Sequence, residues 1–345
     1  MTLVPAAVWL LGPVLLAVQV EPAVQGAVAE AARGTALAAD GKYELAIQHY
    51  RAALRLDPHL PGIHLNLGLA YFKSKRLPEA VTAFEEAVRA DSDSFQARAL
   101  LGMSYYGLGR HADAAEQLKV AAAGQPGNLE LHYTLAQSYF FSKQYPEAIG
   151  EFEFLLSKNP ESAPVHILLG EALDAANRVE AATVEFQAAV KASPAPPNAH
   201  FGLGYLYWKQ RRYEEARREF EAELASQPDH PQALAYLGDA EMRSDRNEPA
   251  EAHLRRALQV DANTRLAQLD LGILLAARSD SNEAIRHFHE AIRIDASKPD
   301  AHYRLGRLLT SLGREHEARA EFDKVKELAA EEPAPLVRLP GRPIP

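Results

Sequence analysis

The chain contains no cysteine. Disulfide frameworks, thiolate metal sites, thiol nucleophiles and lipid attachment through sulfur are therefore excluded together. Positive charge is also short: 37 Lys and Arg stand against 46 Asp and Glu, a net charge of −9. Nucleic-acid binding requires a surplus of cations on some face, so the balance argues against it. The one dense basic run, Lys209, Arg211, Arg212, Arg217 and Arg218, is interrupted by Glu214 and Glu215 and reads as a solvated helix face. A phosphate-cradling glycine loop, a Gly-x-Ser-x-Gly elbow and a His-Glu-x-x-His helix are all missing. What remains, 47% apolar and 24% charged residues, is the composition of a folded chain and not of a disordered one.

Residues Met1 to Val20 carry no charged side chain, and Leu10, Leu11, Val14, Leu15 and Leu16 form an apolar stretch. Glu21-Pro22 is expected to end any helix there, and Val24-Gln25-Gly26 offers small residues before Ala27. This pattern reads as a secretory leader over residues 1–26, although no Lys or Arg precedes the apolar region. An uncleaved membrane anchor through residues 3–20 is the alternative, since about twenty apolar residues can span a bilayer. The expectation is an exported chain, periplasmic or secreted, or one tethered with its body outside the cytoplasm.

From Ala27 the chain repeats every 34 residues, nine times, over residues 27–332. Position 20 of the unit is alanine throughout, from Ala46 to Ala318. Position 8 is glycine from Gly34 to Gly306 with one exception, Ala136. Position 24 is always large and apolar, as in Tyr50, Phe84, Leu118 and Phe152. Position 7 is Leu from Leu67 onward, with Arg33 in the first unit. Apolar residues at 4, 7, 8 and 11 make one face of a first helix, and those at 20, 24 and 27 one face of a second. Turn residues such as Gly41, Gly109, Asn177 and Gly313 join the two. Pro58, Pro126, Pro160, Pro194 and Pro228, at position 32, stop the second helix. A single hairpin of this size cannot bury its own apolar face and has to stack on its neighbours. The last second helix is the most charged, as suits a terminal unit, and the five prolines of residues 333–345 predict an extended tail.

On these residues the chain resembles the tetratricopeptide repeat family over 27–332. The resemblance implies an all-α, right-handed superhelical solenoid of nine helix-turn-helix repeats whose concave groove binds peptides or proteins. The chain departs from the family pattern in places. His64, His132, His166, His200 and His302 stand at position 4, where a bulky aromatic is common, and Glu223 and Glu241 occupy normally apolar positions 27 and 11. Tight packing at that last join is therefore in doubt.

The histidines do not suggest a metal site. Equivalent positions in successive hairpins lie about 8–10 Å apart or more, whereas zinc needs its nitrogens within about 2.1 Å of one centre. Glu223 and Glu241 are the one paired-carboxylate candidate, expected to be neutralised by Arg217, Arg218 and Arg243 or left wet. No catalytic, cofactor-binding or metal-binding residues are assigned.

In the family, positions 2, 5, 9 and 12 of the first helix face the groove. Position 12 supplies Phe72, Tyr106, Phe140 and Trp208; position 5 supplies Leu65, Tyr133, Ile167, Phe201 and Tyr303; position 9 supplies Leu69, Met103 and Tyr205. Exposed aromatics in such a run mark interaction sites, though the same rings could instead pack on the next repeat. The Lys and Asn set by which some relatives clamp a terminal carboxylate is missing, because position 5 never carries Lys and position 6 has Asn only at Asn66. The expected function is a non-enzymatic scaffold for a protein or peptide with an apolar or aromatic segment. The alternatives are a membrane-anchored structural subunit of an envelope complex, or the recruiting arm of a separate enzyme chain.

Overall fold

The computed structural model describes residues 22–192 and 195–331. Among them the chain is all-α, with eighteen helices paired into nine hairpins. The first four pairs are α1 (Pro22–Ala39) with α2 (Tyr43–Leu56), α3 (Ile63–Lys73) with α4 (Leu77–Ala90), α5 (Phe95–Gly107) with α6 (His111–Gly124), and α7 (Leu129–Phe141) with α8 (Tyr145–Lys158). The next three are α9 (Ala163–Ala175) with α10 (Val179–Ala189), α11 (Ala199–Lys209) with α12 (Tyr213–Ser226), and α13 (Pro231–Met242) with α14 (Asn247–Val260). Then come α15 (Arg265–Ala277) with α16 (Ser281–Ile294), and α17 (Pro299–Ser311) with α18 (Glu315–Glu331). The chain divides into two compact units, residues 1–151 and 152–345.

The hairpin follows from two positions. A Cβ placed on Gly68 would lie 2.5 Å from the Phe84 ring, and one on Gly272 would lie 2.7 Å from the Phe288 ring. Glycine at position 8 thus lets the position-24 side chain lie directly on the opposite backbone. Phe84 and Phe288 are buried as a result, each contributing about 1.5–3 kcal/mol of hydrophobic stabilisation. In the second unit this core runs on through hairpins seven to nine. Leu254 and Ala257 pack with Leu234, Ala267 and Leu274, while Phe288 packs with Leu271, Leu305 and Leu309.

All nine turns share one left-handed residue. Position 15 has positive φ in every hairpin, from Gly41 through Lys75, Gly109, Lys143, Asn177, Arg211, Asp245 and Ser279 to Gly313. The left-handed conformation closes the turn so that the residue after it caps the second helix. Pro58, Pro126, Pro160 and Pro228 each stand two residues beyond the end of a second helix, while Pro194 lies outside the described residues.

The described residues begin inside the segment read as a leader. Pro22 opens α1, where a proline at the first helical position loses no intrahelical hydrogen bond. Cleavage after Gly26 would therefore remove residues 22–26 of this helix. The leader or anchor up to residue 21 and the tail 333–345 lie outside the described residues. Among the described residues no helix is long and apolar enough to cross a membrane.

Candidate protein-binding faces of the first helices

Four of the five position-4 histidines clasp their own hairpin; His64, with Ala83 at position 23, does not. His132 Nδ1 lies 2.7 Å from Glu151 Oε2, His166 Nδ1 2.6 Å from Glu185, His200 Nδ1 2.7 Å from Glu219, and His302 Nδ1 2.6 Å from Glu321. Each pair joins position 4 of the first helix to position 23 of the second. Other hairpins keep the clasp with different residues: Glu30 with His49, Arg98 with Gln117, and Gln268 with His287. The 19-residue spacing repeated in the sequence is the signal that reading position 4 alone misses.

Glu223 and Glu241 correct the sequence expectation of a loose join. Glu223 is 1% exposed. Its carboxylate accepts the backbone N–H groups of Asn198 at 2.9 Å and Phe201 at 3.0 Å, and the Gln227 side-chain amide. It caps α11, whose N-cap residue Asn198 makes no side-chain cap of its own. Glu241 pairs with His253 at 2.8 Å. Two of the arginines expected to neutralise them are engaged elsewhere, Arg217 with Glu214 and Glu221 and Arg243 with Asp239. Within the basic run, Lys209 also pairs with Asp174 and Arg212 with Glu215.

Of the twelve residues assigned to the groove none is in the core, and all but Tyr303 are half-buried. In the first unit these are Leu65, Leu69, Phe72, Met103, Tyr106, Tyr133 and Phe140. The Tyr106 hydroxyl donates to Gln137 Oε1 at 3.1 Å, tying α5 to α7. Its ring lies 5.3 Å from His111, and His111 lies 4.9 Å from Phe141. Phe140 contacts Phe141 at 5.4 Å and Tyr145 at 6.0 Å. Phe141, at position 13, is 50% exposed and makes the most solvent-facing ring of this cluster. The sequence reading missed it because position 13 is polar or small in most of the repeats.

In the second unit Ile167 is half-buried on α9, and Phe201, Tyr205 and Trp208 gather around Tyr236 of the following hairpin. Centroid distances to Tyr236 are 6.0 Å for Phe201, 5.4 Å for Tyr205 and 5.1 Å for Trp208. His230 stacks on Phe201 at 4.9 Å, and the Trp208 indole N–H donates to Asp239. These rings are thus partly packed on the next repeat, leaving one edge or face outward. Burial pushes the Tyr236 hydroxyl up to about 12, so it stays protonated. Tyr303, by contrast, is exposed.

Beneath this face sits a buried carboxyl. Asp270 is buried, with one oxygen lacking a hydrogen-bond partner. Burial first, and then the neighbouring Asp239, raise it well above the ordinary aspartate value, against the opposing pull of Arg243 and Arg304. Among the described residues no cluster of three or more His, Asp or Glu is arranged to hold a metal ion.

Comparison with known proteins agrees with this geometry. Models described as tetratricopeptide repeat match residues 65–128, 133–197, 185–223 and 201–264, and 105–153 and 275–336; one described as TPR repeat matches 34–75. No curated protein matches the chain. Among solved structures, the C-terminal part of a repeat protein from Cytophaga hutchinsonii is 14% identical with a TM-score of 0.54, over 69% of this chain and 98% of that one. The Cut9 and Hcn1 hetero-tetramer of the APC/C gives 15% identity and a TM-score of 0.53, over 77% of this chain and 52% of that one. The pilF protein of Pseudomonas aeruginosa gives 16% and 0.53, over 61% and 95%. At these identities the likeness is one of fold. With the family models covering more than half of its length, and with nine hairpins built on the same small and large positions, the chain belongs to the tetratricopeptide repeat family.

Proposed function

We propose that this chain is an exported, non-enzymatic scaffold that holds a polypeptide against the first-helix faces of its hairpins. The observation that carries the reading is the half-burial of Tyr106, Phe140, Phe201, Tyr205 and Trp208, with Phe141 standing further out. Rings fixed in this way keep contact area available while losing little conformational freedom on binding, as interaction anchors do. The family typically mediates protein–protein contacts, and the segment that fits here is apolar or aromatic. Export rests on the apolar, uncharged run of residues 1–20.

A photo-crosslinking residue placed at Phe141 or Tyr205 in native cells tests the binding face, with Val184 on α10, 60% exposed, as the comparison. The expected outcome is a crosslinked polypeptide from the two first-helix positions, lost in Phe140→Ala with Trp208→Ala. Equal crosslinking from Val184 would move the partner to the second helices. Finding Met1 on a cytosolic form by mass spectrometry would refute export.

A further inference from the structure

In the second unit a cavity of about 240 Å3 opens between α9 and α11. Its apolar lining includes Phe186, Gly202 and Leu206, and its polar lining Glu171 and Asp174 with the Tyr205 ring beside them. Glu171 and Asp174 are three residues apart on α9 and so share one face. Gly202 lets the Phe186 ring lie directly on the α11 backbone as one wall of this space. A Cβ there would stand 2.1 Å from the Phe186 ring, and position 6 carries a side chain in every other repeat.

Two of the lining side chains, Asp174 and Tyr205, already meet an ammonium at the rim. Lys209 Nζ lies 2.5 Å from Asp174 Oδ1 and 5.6 Å from the centre of the Tyr205 ring, combining an ion pair with a cation–π contact. Glu171 has no ion pair among the described residues. Its side chain is exposed, yet the crowded surroundings raise its carboxyl above the ordinary value. The corresponding space between α15 and α17 has the opposite chemistry. There Ile273 and Ala276 replace the two carboxylates, and Arg304 and Arg307 line the far side. The acidic lining is thus particular to hairpins five and six and does not follow from the fold.

We propose that the α9–α11 cavity is a socket for one lysine or arginine side chain of the bound polypeptide. The aliphatic stem lies along Phe186, Gly202 and Leu206, and the cationic head meets Glu171 beside the Tyr205 ring. This rests on the first-helix binding reading and refines it: the partner segment carries a basic residue among its apolar ones.

A displayed library of random twelve-residue peptides, selected on the full chain, is the probe. The enriched peptides should carry Lys or Arg flanked by apolar residues. Replacing that basic residue with norleucine should weaken binding at least tenfold. Glu171→Gln should weaken the basic peptide by a similar factor and leave the norleucine peptide unchanged, whereas Arg307→Ala should alter neither. Circular dichroism of each variant checks the fold. Enriched peptides without a basic residue, or a basic preference that survives Glu171→Gln, would overturn the socket while sparing the wider reading. Failure to enrich any peptide would overturn both.

Discussion

Glu223 and Asp270 are both acids in apolar surroundings, with opposite consequences for stability. Glu223 satisfies two backbone N–H groups at the start of α11, which a buried helix end needs. Glu223→Ala should lower the unfolding free energy by about 1–3 kcal/mol, the cost of orphaned donors. Urea titration measures it, and a rise would restore the loose join that the sequence suggested. Asp270 has an unpartnered oxygen and Asp239 for a neighbour. Its folded value is raised above 3.8, so the folded chain holds this proton at pH values where the unfolded chain has released it. The stability it contributes is full below about 3.8 and is lost as pH rises through the folded value. Asp270→Asn should remove that decline and stabilise the protein at pH 7 by about 1 kcal/mol or more. Equal stability of the two forms from pH 4 to pH 7 would contradict this.

At the level of the hairpin, the small residue at position 8 and the large apolar one at position 24 were legible because they recur in the sequence. The clasp between positions 4 and 23 was not. It changes chemistry from His–Glu to Glu–His, Arg–Gln and Gln–His, so no single position shows it. The turn offers a test. Ser279 holds a φ of 69° without glycine's freedom, and the left-handed conformation costs an ordinary residue about 1–2 kcal/mol. Ser279→Gly should therefore raise stability, by about 0.5–1 kcal/mol once glycine's greater unfolded entropy is allowed for. A thermal melt reads the change. In the core, Leu135→Ala should cost about 2–5 kcal/mol, a reference against which groove variants are compared.

For the whole molecule, contacts run mainly between neighbouring helices within each unit, so unfolding should proceed in segments and not in one step. In α18 Ala318 is the one fully buried side chain among those described, and the rest of its surface is held by pairs such as Arg314–Glu317 and Lys324–Glu327. Hydrogen exchange should be faster in α18 than in α16. Matching rates in the two helices would show that the array melts as one cooperative body.

The sequence by itself determined the hairpin, its number and its register. Those depend on local periodicity and on residue size at positions 8, 20 and 24, which a 34-residue repeat displays nine times over. It also placed the half-buried aromatics on the first helices. Only the tertiary structure decided what the exceptional polar residues do, because their partners come from another helix or another hairpin. Glu223 reads as a defect until the N–H groups of Asn198 and Phe201 arrive beside it, and Gly202 reads as an ordinary small residue until the Phe186 ring lies against it. A carboxylate or a gap in a chain has no fixed meaning until its surroundings are in place, since burial and partners set its energy.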